Sequence, residues 1–203
     1  MPVHAPSLSQ KGFTLIEVLI ALLILSFGML GLIGMQAFAL KSNHEAKLYT
    51  EGTNLARELA EMMRGNNLIA IKTKALDNPY LTDTLDIGTI TTTCLAVGNA
   101  CATTQEVASA QMAEWRTRVR NALPGARLEI CFDSEPYDHS GLPQWDCTPG
   151  AAGGSEVIVL KLGWNLRSTN SGATDEEAII RANDNNSRPQ IILPVTGGNP
   201  FPL

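Results

Sequence analysis

A long apolar run that contains a single carboxylate is the feature that most constrains this chain. Between Phe13 and Leu40 only Glu17 is charged, and the next charged residue is Lys41. The run is longer than the roughly 20 residues that a helix needs to cross a bilayer. An unpaired carboxylate in hydrocarbon costs at least about 2.5 kcal/mol, so Glu17 is expected to have a specific partner. We therefore expect residues 13–40 to form a transmembrane helix.

A cleaved secretory signal is the first alternative, because such signals also place a basic residue before an apolar stretch. This run is about twice as long as the apolar region of a typical signal, and it contains Glu17. The basic Lys11 is followed directly by Gly12 rather than by a small-x-small cleavage site further on. The sequence therefore disfavours an ordinary secretory signal.

The segment KGFTLIEVLIA, from Lys11 to Ala21, resembles the class III leader and N-terminus of type IV pilins and type II secretion pseudopilins. In that family a prepilin peptidase cuts after the glycine on the cytoplasmic face and methylates the new N-terminus. The resemblance implies a leader over residues 1–12, cleavage between Gly12 and Phe13, and an N-methylated phenylalanine at the mature N-terminus.

The same resemblance gives Glu17 a role in assembly. Residues i and i+4 share a helix face, so the ammonium of a mature Phe13 would lie beside the Glu17 carboxylate. In the family this glutamate attracts the N-terminal ammonium of a neighbouring subunit, which sets the axial register of the filament. Relief of an unpaired charge in lipid would favour transfer into the filament.

A second apolar stripe predicts that the helix continues beyond the membrane. It consists of four side chains at helical spacing, namely Leu48, Leu55, Leu59 and Met62. We expect an amphipathic continuation over residues 41–65 that stops at Gly65 and Asn66. A globular domain over residues 66–203 should follow, facing the periplasm or the exterior.

The composition of the globular part shifts toward Thr, Gly, Asn and Pro, which favours turns and strands. The spacing predicts a helix over residues 103–123, with an apolar side made by Val107, Met112, Trp115 and Val119. Strands are expected in three segments, 126–132, 156–164 and 190–195, and residues 84–97 form a Thr-rich, strand-like segment that ends in a loop. The expected fold class is α+β and type IV pilin-like, with the long helix packed on an antiparallel sheet.

Two later segments narrow the resemblance to one group of minor pilins. The sequences MAEWR at residues 112–116 and ALPGA at residues 122–126 look like the tryptophan helix and Leu-Pro-Gly turn of the type IV pilus modification protein group, PilV. Residues 162–164, Leu-Gly-Trp, are similar to a strand of that group. The implied partners are the prepilin peptidase, other major and minor pilins, and the pilus assembly platform in the inner membrane.

Four cysteines follow the apolar run, in the part of the chain expected to face an oxidising compartment. Four cysteines allow three pairings, and the sequence leaves them open. We favour Cys94 with Cys101 and Cys131 with Cys147, because each pair closes a local, turn-rich segment. Zinc is disfavoured, because the chain has no C-x-x-C spacing and only three histidines.

The charge balance disfavours a general nucleic-acid binder, since 15 basic and 20 acidic residues give a net charge of −5. Arg116 and Arg120 share a helix face beside Trp115, with Arg127 near in sequence, so a small patch could touch a DNA backbone. A solvated face with Trp115 turned to the core is the preferred interpretation. An acidic loop without calcium-ligand spacing is expected to be a solvated turn; it contains Asp133, Glu135, Asp138 and His139.

No catalytic signature appears in the sequence: it lacks G-x-S-x-G, a phosphate-binding glycine loop and H-E-x-x-H. We expect a non-enzymatic minor pilin without catalytic residues, cofactor or metal. It would span the inner membrane once, with its C-terminal domain in the periplasm, before entering a type IV pilus and supporting adhesion or motility. The alternatives are a type II secretion pseudopilin and a tip-exposed module that binds a surface receptor or DNA.

Overall fold

The computed structural model contains two compact units along the chain, one ending at His44 and one beginning at Glu45. The segment expected as the amphipathic continuation of the first helix therefore lies mostly in the second unit. The residues that the structure describes are 12–85, 94–150, 157–168, 170 and 172–196.

Helix α1 spans Leu15–Gly65 and begins and ends close to the predicted residues. Every residue from 12 to 44 is exposed, and this part of α1 is long and apolar enough to cross a membrane by length and composition. From Leu48 onward one face becomes buried, as the apolar stripe predicts. Met63 is completely buried, whereas the predicted stripe residue Met62 is only partly buried.

Two further helices precede the sheet. A short helix, α2, covers Asn67–Ala70, and the predicted tryptophan helix is α3, Thr104–Ala122. The Thr103 side chain accepts a hydrogen bond from the Glu106 N–H at 3.1 Å, which caps the first turn of α3. The Trp115 indole N–H donates to the Leu55 carbonyl at 2.9 Å, which fixes α3 against α1 within the second unit.

The strands of the second unit are β1 Arg127–Phe132, β2 Ile158–Gly163, β3 Leu166–Arg167, β4 Ile179–Ile180 and β5 Ile191–Val195. A three-stranded antiparallel sheet has the order β1-β2-β5, and β3 and β4 form a separate two-stranded ribbon. A 3₁₀ turn, Asp175–Ala178, precedes β4.

The core lies between the buried side of α1, helix α3 and one face of the sheet. The sheet contributes Leu128, Ile130, Leu160 and Leu162 to it. Gly52 lets α1 approach closely, because a Cβ there would lie 2.9 Å from both Ile191 Cδ1 and Trp164 Cζ3.

The α+β class with a long N-terminal helix and an antiparallel sheet is confirmed. The three predicted strand segments contain β1, β2 and β5. In the strand-like segment 84–97, residues 84 and 85 lie in no strand, residues 94 and 95 lie in a turn where a loop was expected, and residues 86–93 fall outside the described residues. Neither α2 nor the β3–β4 ribbon was predicted, because two- to four-residue elements are too short to show a period.

Candidate functional site

The start of α1 places the predicted processing and assembly residues within a few positions of each other. Gly12, Phe13 and Thr14 precede the helix, and Phe13 is 83 % exposed. The Thr14 carbonyl accepts the N–H of Glu17 at 3.1 Å and that of Val18 at 3.4 Å, which closes the first turn. The Gly12–Phe13 bond therefore lies in exposed chain that belongs to no helix or strand, immediately before α1. Residues 1–11, the rest of the predicted leader, lie outside the described residues.

Glu17 lies in the first turn of α1, where the positive end of the helix dipole favours a negative charge. Its side chain is exposed, and among the described residues no cationic group forms a salt bridge with it. This carboxylate thus stands on an apolar helix without a partner in its own described chain.

The first part of α1 presents an apolar surface that no described residue covers. All of its large apolar side chains are about half exposed or more. Leu15 at the start of α1 is 83 % exposed, and Leu40 near the end of this part is 70 % exposed. A Cβ added at Gly28, Gly31 or Gly34 would meet nothing within 4 Å. An apolar surface of this extent on a protein marks a membrane or protein interface.

Comparison with known families agrees with this geometry. The model of the prokaryotic N-terminal methylation motif matches residues 8–33. The N-terminus is type IV pilin-like. This match covers residues 8–12 of the predicted leader and continues into α1 as far as Ile33, and it implies processing by a prepilin peptidase and assembly with other pilins. No curated protein and no solved structure matches the chain. The pilin-like N-terminus and the α+β fold together fit a membrane-anchored, type IV pilin-like or pseudopilin subunit with a structural role.

Both favoured cysteine pairs of the pilin-like chain are joined in the structure. Cys94 and Cys101 form a disulfide with a Cα–Cα distance of 4.8 Å, and Cys131 and Cys147 form another at 6.3 Å. The second closes a loop that leaves the end of β1 and returns beside it. We call residues 131–147 the disulfide loop.

A buried ion pair holds the disulfide loop to the sheet. Lys161 on β2 and Asp133 have completely buried side chains, with 2.5 Å between Lys161 Nζ and Asp133 Oδ2. Lys161 Nζ also donates to the carbonyls of Trp145 at 3.3 Å and Asp146 at 2.5 Å. Asp133 Oδ1 accepts the N–H groups of Glu135 and Thr148.

Glu129 lies directly opposite Lys161 in the β1–β2 register. Burial is the main cause that raises the pKa of Glu129, and the negative charge of Asp83 adds to it. Its carboxylate and the sulfurs of Cys131 and Cys147 lie within 4.8 Å of one another. Both sulfurs are oxidised in the disulfide, and a metal ligand would have to be a thiolate, so this cluster is not a metal site.

The acidic loop is only partly the solvated turn that was expected. Asp133 is buried, as described above, so this part of the expectation is wrong. Asp138 Oδ1 accepts the N–H groups of Leu142 and Ser140, and Asp138 Oδ2 accepts from Arg188 at 2.8 Å. The backbone hydrogen bond from Leu142 contributes most to lowering the pKa of Asp138. Glu135 and His139 are exposed.

The three arginines of the alternative basic patch contact two different parts of the described structure. Arg116 Nη1 donates to the Thr84 carbonyl at 3.5 Å, and Arg120 Nη2 donates to the Leu85 carbonyl at 3.2 Å. Arg127 instead lies over the Trp145 ring at 4.3 Å. Trp115 is buried in the core, as the preferred interpretation stated.

Lys161 is the important residue that the sequence analysis missed. The sequence does contain a sign of its importance. Lys161 is a single charged residue inside the apolar strand sequence IVLKLG, just as Glu17 is a single charged residue inside the apolar run. The partners of Lys161 had no comparable signal, since two of them are backbone carbonyls of the disulfide loop.

Proposed function

We propose that this protein is a minor pilin of the PilV type, incorporated into a type IV pilus or its tip complex to support assembly and pilus-dependent adhesion or motility. A prepilin peptidase would cut between Gly12 and Phe13 and methylate Phe13. The mature subunit would sit in the inner membrane through α1, with its disulfide-bonded unit in the periplasm, until the assembly platform moves it into the fibre.

The observation that carries this proposal is the isolated Glu17 carboxylate on the exposed apolar helix. A charge of this kind in lipid is unfavourable by at least about 2.5 kcal/mol. Docking beside the Phe13 ammonium of a neighbouring subunit would remove that cost and fix the axial register of the incoming subunit. The exposed apolar residues from Leu15 to Leu40 would then pack against other pilin helices in the filament.

The finer assignment to the PilV group draws support from the segment after α3. The Leu123-Pro124-Gly125 turn resembles that group, and Gly125 has a φ of +59°, which favours glycine. The Asn165 side chain lies where a Cβ of residue 125 would be, with its Nδ2 at 2.2 Å from that position. The turn therefore joins α3 to β1 through Gly125, and a residue with a side chain would clash with Asn165 at this position.

The first experiment identifies the mature N-terminus in the fibre. Pili sheared from cells are digested and analysed by mass spectrometry for a peptide that begins at N-methyl-Phe13. We expect that peptide, and replacing Gly12 with a bulky residue should leave only the uncleaved precursor in the inner membrane. Normal processing of the Gly12 variant would contradict the cut.

A second experiment tests the docking role of Glu17. The Glu17→Ala protein should insert and be processed as usual but be depleted from sheared pili, because its subunit lacks the charge that pairs with a neighbour. Glu45→Ala removes an exposed carboxylate further along α1 and serves as the matched control. Equal incorporation of the wild-type and Glu17→Ala proteins would count against the proposal.

A type II secretion pseudopilin is the second candidate, because the methylation motif is common to both kinds of subunit. Cross-linking in intact cells followed by purification of the protein separates the two. Recovery with pilus subunits supports the minor pilin. Recovery with secretion pseudopilins alone would replace it.

A further inference from the structure

Non-covalent contacts hold both sides of the Cys131–Cys147 disulfide in place. Cys131 lies in β1, within the β1–β2 ladder. The carbonyl of the residue before Cys147 accepts a hydrogen bond from Lys161 Nζ at 2.5 Å, and the carbonyl of the residue after it accepts the Ser134 N–H at 2.8 Å. None of these contacts involves a sulfur atom. They would therefore keep the two cysteines close together before the bond between them forms.

Glu129 lies beside the two sulfur atoms. It shares a face of β1 with Cys131, because residues two apart in a strand point to the same side. Glu129 Oε1 is 3.6 Å from Cys147 Sγ, and the carboxylate and both sulfurs lie within 4.8 Å of one another. All three side chains are only partly buried, so a small thiol or disulfide can reach them. Since sulfur is larger than oxygen, this distance brings the carboxyl group within reach of a proton on Cys147.

The surroundings of Glu129 suit a group that accepts a proton from a thiol. Burial raises the pKa of Glu129, so its carboxylate binds a proton more strongly than that of an ordinary glutamate. This brings its proton affinity closer to that of a thiolate, which favours transfer between them. Two cations and two anions from the neighbouring strands and loops also act on this carboxylate, namely Arg127, Lys161, Asp83 and Asp146.

We propose that Glu129 is the general base that closes the Cys131–Cys147 disulfide during oxidative folding. The Cys131 thiol loses its proton to solvent and attacks an external disulfide, which forms a mixed disulfide and releases one thiolate. Glu129 then takes the proton of the Cys147 thiol as Cys147 Sγ attacks Cys131 Sγ. The bond between the two cysteines forms, the bond from Cys131 to the external group breaks, and that group leaves as a second thiolate. Two electrons thereby pass from the cysteines to the external disulfide. This chemistry does not depend on the proposed pilus role.

Closure is followed in the full chain in detergent, with Cys94→Ser and Cys101→Ser introduced so that one disulfide remains. The protein is reduced with a phosphine, separated from it and mixed with glutathione disulfide over a range of pH. Samples quenched in acid are alkylated and analysed by mass spectrometry, and near-ultraviolet circular dichroism checks that each reduced protein keeps its tryptophan signal. At about pH 7, Glu129→Gln should close at least about tenfold more slowly than its parent, and its glutathione adduct on Cys131 should accumulate.

The pH dependence separates a base from a residue that only supports the local fold. Above about pH 9 the Cys147 thiol ionises without help, so the rates of the parent and Glu129→Gln should converge. Glu135→Gln, which removes an exposed carboxylate of the same loop, is the matched control and should close like the parent. Equal rates at about pH 7, or a deficit that persists unchanged above about pH 9, would each overturn the proposal. Glu17→Ala should close normally, so failure of the pilus proposal is distinguishable from failure of this one.

Discussion

Two residues, Glu17 and Lys161, place a charge where the surrounding sequence is apolar. Lys161 is satisfied inside its own chain by Asp133 and two carbonyls, whereas Glu17 has no cationic partner among the described residues. A satisfied buried charge is structural. An unsatisfied one on an exposed apolar helix calls for a partner from another molecule. A single charge in an apolar segment can therefore indicate either a buried ion pair within the chain or a contact with another molecule. The packing around the charged residue distinguishes the two cases.

Replacing Lys161 with methionine should destabilise the second unit by about 3 to 5 kcal/mol, because the buried Asp133 carboxylate would lose its counter-charge. The loss should appear in denaturant unfolding followed by tryptophan fluorescence. Asp133→Asn in the same chain should recover part of it by removing the unpaired charge. Lys72→Met, at an exposed lysine, should change stability by less than about 0.5 kcal/mol. Similar losses in both lysine variants would contradict the role of the pair.

The partly buried Glu129 carboxyl predicts that the free energy of unfolding depends on pH. Burial raises its pKa in the folded protein, so folding favours the protonated form. The stability that this group contributes is present below its unfolded pKa and is lost as the pH rises through its folded pKa. Glu129→Gln should therefore gain stability relative to the wild type between about pH 4 and about pH 7. The measurement is the difference in unfolding free energy at the two pH values. A difference that does not change with pH would show that burial does not perturb this carboxyl.

At the scale of elements, α3 was the most predictable part of the second unit. Its cap at Thr103, its apolar spacing and the following Pro124-Gly125 are all local signals, and the helix covers Thr104–Ala122. The strands β1, β2 and β5 were predictable from runs of Ile, Val and Leu. Their order was not, because β5 pairs with β2 across a long stretch of intervening chain.

The disulfide loop shows what local patterns cannot predict. Its acidic residues suggested a solvated turn, but Asp133 is buried and pairs with the Lys161 side chain, which comes from β2 at a position opposite Glu129 rather than opposite Asp133. The contact between Glu129 and Cys147 is equally non-local, since Glu129 comes from β1 and Cys147 from the far end of the loop. Proximity across the fold created both features.

The two disulfides should differ in their effect on stability. The Cys131–Cys147 link closes a sequence separation of 16 residues and the Cys94–Cys101 link closes 7. In the chain-entropy account a longer closed loop restricts the unfolded chain more, so Cys131→Ser/Cys147→Ser should lose about 3 kcal/mol. Cys94→Ser/Cys101→Ser should lose less. Thermal unfolding of the two double variants compares them directly, and a larger loss in the second variant would refute this order.

At the scale of the whole molecule, the buried core and the apolar helix surface belong to different units. The core begins at Leu48, after the boundary between His44 and Glu45, and every residue of the first unit from 12 onward is exposed. The sequence predicted this separation of roles because the apolar run and the amphipathic stripe differ in pattern.

A chain that begins at Glu45 should fold without detergent, since it keeps the complete described core. Its near-ultraviolet circular dichroism should match that of the full protein in detergent, because Trp115, Trp145 and Trp164 all lie in the second unit. The full chain should require detergent under the same conditions. A truncated chain that aggregates or lacks a tryptophan signal would show that the first part of α1 is needed for folding.

The disulfide loop also determines how the protein would respond to an extracellular protease. A single cut between Cys131 and Cys147 would leave both fragments covalently attached through the disulfide. The cut chain would migrate as one species on a non-reducing gel and as two after reduction. If the cut lies before Trp145, Lys161 would still donate hydrogen bonds to the Trp145 and Asp146 carbonyls and hold the end of the loop against β2. A nicked subunit would therefore keep this part of its surface in place.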